Sequence, residues 1–195
     1  KHILPQQGFL LNPQKDIQET YEAKAEHPKI WRAFGLHPAE IKEHEIQIQI
    51  DKLNEAIQDK TTIAIGEVGL DARAQMPDML LQEKVFLQQL EIARDANLPV
   101  IIHAAKAWGR VLLKLKQFGK LPAGGLLHSF GAAQELVPEF AKYDLLMSFG
   151  GMVPHEKAKK MRQSAARVPL QLLAAESDGP DHPCQKANPP FPVVL

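Results

Sequence analysis

A single cysteine, Cys184, occurs among the 195 residues. No intrachain disulfide can form, and a reducing compartment such as the cytoplasm fits. No stretch approaches the roughly 20 consecutive apolar residues that a helix needs to cross a bilayer, and no signal-peptide pattern is visible. Charge of one sign is not in excess, because Lys+Arg and Asp+Glu both number 23. That balance announces no general polyanion-binding surface and leaves room for a local basic patch. There is no GxGxxG or GKS/T loop to cradle a nucleotide and no Ser nucleophile elbow. Cys184 sits in a Pro-rich tail, 179–195, a poor setting for a reactive thiolate. The chain opens on Lys1 rather than Met, the opening expected of a fragment or of a product missing upstream residues.

With 45% hydrophobic and 24% charged residues, the composition is that of one soluble globular domain over 1–195 with a sizeable core. Short apolar, β-rich runs recur at 1–6, 30–37, 61–70, 98–104, 124–130, 143–151 and 170–178. Helical periodicity fills the gaps. Phe86, Leu90, Ala93 and Asn97 step along one face, and Trp108, Val111, Leu112, Leu115 and Phe118 form a second stripe. Pro138 delays or kinks the helix expected after 131. The segment 46–50, IQIQI, alternates with period two and is expected to lead as a loop into a helix over 51–60. Strands that are continuously apolar and alternate with helices imply a parallel α/β sheet. A doubly wound sheet and a (β/α)8 barrel both satisfy that pattern.

Ionisable residues close several of these runs: His37, Glu67, His103, His128 and Asp178. In parallel α/β folds the carboxyl ends of the strands share one face, which holds the active site. Side chains scattered over more than 100 residues are therefore expected to meet at one mouth. Gly66 and Gly69 flank Glu67 and allow close approach of other groups. A mixed imidazole and carboxylate set suits Zn, Mn or a similar divalent ion rather than Ca, and a Glu can bridge two such ions. Asp71 is either a turn residue or a partner that orients a metal-binding histidine. His2, His27, His44, His155 and His182 are expected on the surface. The basic stretch 157–162 is expected to be a solvated helix face.

The motifs GLHP (35–38), IGEVGLD (65–71), LPVIIH (98–103), LLHSF (126–130), SFGG (148–151) and ESDGPD (176–181) stand in this order along the chain. The sequence thereby resembles the TatD-like deoxyribonucleases over essentially its whole length. The resemblance implies a metal-dependent (β/α)8 TIM-type barrel of the amidohydrolase kind that cleaves DNA phosphodiesters in the cytoplasm. It implies a metal-bridging role for Glu67, metal ligation by His103 and His128, and a ligand and water-activating role for Asp178. It places His37 near the substrate phosphate.

Departures from the family pattern refine these expectations. The family opens on an HxH pair, and no HxH occurs here. The barrel is therefore expected to be incomplete, with about seven strands and lacking the first strand and last helix. The family holds two divalent ions; at most one is expected here, at Glu67, His103 and His128. The open edges favour a monomer or weak dimer. Where the family carries an Arg two residues past its strand-5 histidine, Ala105 stands here. Lys106 follows and could contact phosphate as a point charge, with Arg110 a further candidate. The alternatives are an amidohydrolase acting on a small non-nucleic ester or amide, and a catalytically impaired barrel that only binds.

Overall fold

A computed structural model describes residues 31–176 and the backbone of residues 8–10. Seven strands lie among them: β1 (Gly8–Leu10), β2 (Trp31–Phe34), β3 (Thr62–Asp71), β4 (Val100–Ala105), β5 (Gly125–Leu127), β6 (Leu146–Phe149) and β7 (Leu173–Ala175). All neighbouring pairs are parallel, in the order β1-β2-β3-β4-β5-β6-β7. A doubly wound sheet reverses its order at a switch point. Here every connection steps the same way round, which is the winding of a barrel wall. The fold is an incomplete (β/α) barrel.

Helices α1 (Ile46–Ala56), α2 (Met79–Asp95), α3 (Trp108–Phe118), α4 (Val137–Ala141) and α5 (Lys159–Arg167) follow the strands. Helix α2 starts at Asp78, whose carboxylate accepts from Leu80 N at 2.9 Å and Leu81 N at 3.1 Å. That cap satisfies amide groups that the first turn leaves without partners. Helix α3 stops at Gly119, where φ is +93°. The apolar faces of α2 and α3 pack on the sheet through Phe86, Leu90, Val111 and Leu115, all fully buried beside Ile65, Leu70 and Ile102. A smaller cluster of Leu36, Ile41, Ile50 and Val85 joins α1 and the segment after β2 to α2.

The strand expected at 1–6 lies outside the described residues; β1 begins at Gly8. The segment 46–50 is not a loop but the first half of α1. Its period-two pattern is local, since Gln49, Ile50 and Leu53 are the buried positions and Ile48 faces solvent. Pro138 sits in the first turn of α4 after a 3-10 turn at 134–136, so this helix does start late.

Three strand ends also differ from the sequence reading, one of them β4, which runs two residues past His103 to Ala105. Strand β2 stops at Phe34, and His37 instead caps a 3-10 turn over Pro38–Glu40. Strand β3 does not finish on Glu67 but runs on to Asp71. Opposite β4, Ile65 pairs with Val100 and Val68 with Ile102. Three steps on β3 thus match two on β4, the extra residue of a bulge at Gly66 and Glu67. A bulge re-aims a side chain in mid-strand, so Glu67 needs no strand end to reach the site.

Candidate metal centre

The two oxygens of Glu67 face two histidines. Oε2 lies 3.4 Å from Nδ1 of His103, and Oε1 lies 3.4 Å from Nε2 of His128. Strand β3 supplies Glu67 through its bulge, β4 supplies His103 from its fourth residue, and His128 follows β5 directly. Three adjacent strands therefore bring together residues that are 36 and 25 positions apart.

Each histidine has a second carboxylate behind it. Nδ1 of His128 lies 2.7 Å from Oε2 of Glu176, whose other oxygen accepts from Ser129 N at 2.7 Å. Nε2 of His103 lies 3.5 Å from Oδ2 of Asp71. This nitrogen is buried and has no hydrogen-bond partner among the described residues. Asp71 is fully buried and accepts from Nε of Arg73 at 2.8 Å on Oδ2, the same oxygen that faces His103.

The Glu176 contact sorts the imidazole protons of His128, which are assigned here from that partner. A carboxylate only accepts. At 2.7 Å, Glu176 takes the Nδ1 proton of His128 and leaves the Nε2 lone pair towards Glu67. Nε2 of His103, 3.5 Å from Asp71, makes no such bond, so that contact does not fix which His103 nitrogen carries the proton. A lone pair facing a carboxylate is repulsive unless a cation lies between them. An imidazolium is the other remedy, but charge-assisted N–H···O contacts close to about 2.7–2.9 Å, well inside the 3.4 Å seen at both histidines. Two ligand atoms about 2.1 Å from one tetrahedral ion are about 3.4 Å apart. A cation beside Glu67 would relieve that repulsion, and imidazole and carboxylate donors suit a divalent ion such as Zn or Mn, with Glu176 behind His128 as the carboxylate backing common at such sites.

The three side chains whose ligand atoms all meet within 4.8 Å among the described residues include His37 in place of His128. One ring nitrogen of His37, a Glu67 oxygen and a His103 nitrogen lie within 4.8 Å of one another. The His37 and His103 rings meet edge to face with centroids 4.4 Å apart. Nδ1 of His37, however, accepts from Ala39 N at 3.2 Å. The neutral ring then carries its proton on Nε2 and is a donor, not a ligand. Burial first, and His103 second, hold the His37 pKa below its ordinary value, so the ring stays neutral near pH 7. Burial pushes Glu67 up, but its histidine neighbours outweigh burial and hold it below the ordinary carboxylate range.

The structure thus gathers Glu67, His103, His128, His37 and Asp71, while Asp178 lies outside the described residues. Lys106 is exposed just past β4, with φ +53°. Nη1 of Arg110 bonds Glu83 at 2.8 Å, while its side chain stays exposed. Arg162 bonds the carbonyls of Val153 and His155, so part of the basic 157–162 stretch braces its own loop. His44 is exposed, while His155 is half-buried with Nδ1 accepting from Lys157 N. His2, His27, Cys184 and His182 lie outside the described residues. Sequence reading passed over Glu176, although it stands in the quoted ESDGPD motif, and Arg73. It also passed over Gln82, whose amide bonds Asp71 N at 2.8 Å and Asp71 O at 3.1 Å.

The profile of the family described as TatD related DNase matches residues 7–193. The chain belongs to the TatD-related DNase family. It is 32% identical over 178 residues to the uncharacterized metal-dependent hydrolase YabD of Bacillus subtilis, covering 89% of this chain and 69% of that protein. It is 30% identical over 156 residues to the uncharacterized metal-dependent hydrolase YjjV of Escherichia coli K12, covering 79% of this chain and 60% of YjjV. The crystal structure of YjjV, described as a TatD homolog, superposes with a TM-score of 0.75 at 28% identity, over 84% of this chain and 63% of YjjV. The 3'-5' ssDNA/RNA exonuclease TatD of the same organism is 27% identical over 168 residues, covering 85% of this chain and 64% of TatD. The chain therefore spans about 60% of the length of the TatD-family relative YjjV.

Proposed function

We propose that the chain is a metal-dependent hydrolase that cleaves phosphodiester bonds of DNA. One observation supports the reading: two histidines stand 3.4 Å from the two oxygens of Glu67, and Glu176 holds the far nitrogen of His128 at 2.7 Å. Glu67, His103 and His128 would hold a Mg, Mn or Zn ion. Such an ion supplies Lewis-acid stabilisation of phosphoryl charge and acidifies water.

The rest falls to the chain's own groups. His37 presents an Nε2 proton beside the His103 ring and can donate it to a non-bridging phosphate oxygen. Lys106, exposed at the end of β4, offers a point charge to the nucleic-acid backbone. Asp178, two residues beyond Glu176 in sequence, takes the proton of the attacking water. Water contributes its hydroxyl to phosphorus, the ester P–O bond breaks, and the proton passes to the leaving oxygen. The name of the TatD relative, a ssDNA/RNA exonuclease, supports nucleic acid as substrate. No helix among the described residues is long and apolar enough to cross a membrane; the single cysteine fits a reducing setting such as the cytoplasm.

The test is hydrolysis of single-stranded and duplex DNA with Mg, Mn or Zn added, against a chelator control. Expected is metal-dependent cleavage that Glu67→Ala reduces at least about 100-fold. Cleavage that persists in chelator, or is untouched by Glu67→Ala, would refute the reading.

A further inference from the structure

Three buried glutamines among the described residues each grip the main chain of a segment at the carboxyl ends of the strands. The Gln89 amide accepts from Leu36 N at 2.6 Å and donates to Leu36 O at 3.2 Å. Gln82 does the same for Asp71 and also donates to Pro77 O at 2.7 Å. Gln49 accepts from Lys42 N at 3.1 Å and donates to Glu40 O at 2.7 Å. Gln82 and Gln89 are seven residues apart on α2, two turns along one face, and both are fully buried.

Leu36 lies two residues beyond the end of β2, where its N–H and C=O have lost the ladder. Packing alone asks only for an apolar side chain at position 89. A buried amide is costly unless both its donor and its acceptor are used. Gln89 uses both on a single residue, as a neighbouring strand would, and so fixes the planes of the peptides on both sides of Leu36. The next residue is His37. Gln49 grips the chain again at Glu40 and Lys42, so His37 stands on a short segment clamped at both ends.

We infer that Gln89 is a positioning residue for His37: through the Leu36 backbone it aims the imidazole at the place the substrate phosphate takes in the reading above, on which this inference rests. Gln82 serves the separate role of fixing Asp71 behind His103. The helix α2 then acts as one ruler for two rim positions, and losses at its two glutamines differ in kind. Loss at Gln89 reaches the phosphate contact and spares the metal ligands.

The experiment compares Gln89→Leu, His37→Ala and the double variant. The probe is a single-stranded oligonucleotide with Mn, and Mn affinity is measured separately. Expected for Gln89→Leu is a KM raised about tenfold with kcat within about twofold, the pattern of a lost contact common to ground and transition states. In the His37→Ala background the same substitution should add less than about twofold. Mn affinity should stay within about twofold of the parent. Additive effects in the double variant, or a fall in Mn affinity matching the loss of activity, would overturn the inference. A second readout stands apart from activity. In NMR spectra Gln89→Leu should move the His37 ring signals and leave those of His128 in place, and unmoved His37 signals overturn the inference even in an inactive protein. Absence of hydrolysis in the parent chain with all three metals would instead count against the functional reading. Should Gln89→Leu fail to fold, Gln89→Glu keeps the acceptor for Leu36 N, loses the donor to Leu36 O, and is read in the same way.

Discussion

Oε2 of Glu176 lies 2.7 Å from Nδ1 of His128, and that contact decides which imidazole nitrogen faces Glu67. The other oxygen of Glu176 is held by Ser129 N at 2.7 Å, so the carboxylate is fixed in place before any ion arrives. Replacing it by Gln leaves one oxygen for two donors. Glu176→Gln should therefore weaken Mn or Zn binding by about tenfold or more, the usual consequence of losing such a backing group. Competition against a chromophoric chelator measures this, and an unchanged affinity would show that Glu176 has no part in the site.

Glu83 tests the packing of α2 against α3. It is nearly buried and meets Lys114 Nζ at 2.7 Å and Arg110 Nη1 at 2.8 Å. Burial pushes its carboxyl up, but the ammonium and the guanidinium outweigh burial and hold it below the ordinary carboxylate range. A carboxylate with a depressed folded pKa contributes stability that is present above its unfolded pKa, about 4.3, and lost as pH falls through the lower folded value. Thermal melts between pH 6 and 3 should show this loss, and Glu83→Gln should flatten it. Glu83→Ala at pH 7 should cost about 3 kcal/mol, because Lys114 is left half-buried without a carboxylate. Melts of the parent and Glu83→Gln that run parallel across the whole range would contradict the assignment.

Gly69 is the backbone position that tolerates least. Its φ is +149°, and a Cβ there would stand 2.0 Å from the carbonyl oxygen of His103. Gly69→Ala must push β4 away from β3 at His103. The expected result is destabilisation of about 3 kcal/mol or failure to fold. A variant with the parent's melting temperature would mean that the β3–β4 contact is looser than described.

Lys106 and Arg110, both basic and four residues apart, should behave differently. Lys106→Ala should lower affinity for single-stranded DNA and reduce the slope of log K against log salt by about 0.7, one phosphate contact. Arg110→Ala should leave the slope unchanged and lower the melting temperature, since its guanidinium serves Glu83. The opposite assignment of the two effects would exchange their roles.

Much of this arrangement was legible in the sequence because a parallel strand buried on both faces reads as an unbroken apolar run. A polar residue there, such as Glu67 or His103, stands out. The winding of the fold also obliges such residues to meet. Other features leave no such trace. The bulge at Gly66 and Glu67 is a matter of register between strands, so Glu67 was read as a strand end. The turn that His37 caps lies past β2, where GLHP looks continuous with the strand. Glu176 and Asp178 are neighbours in one acidic motif, and only the distance to His128 shows what Glu176 does. Gln49, Gln82 and Gln89 read as ordinary polar positions on amphipathic helices. Their buried main-chain contacts depend on tertiary packing that helical periodicity does not express.

The site itself is tested most directly by anomalous diffraction from crystals grown with Zn or Mn. The proposed site calls for a peak within about 2.0–2.3 Å of a Glu67 oxygen, Nδ1 of His103 and Nε2 of His128. His37 should stand outside the coordination sphere, with Nδ1 still accepting from Ala39 N. A peak bound to His37 would contradict the proton assignment. Both histidines closing to about 2.8 Å on Glu67 with metal present and no peak between them would contradict the metal centre altogether.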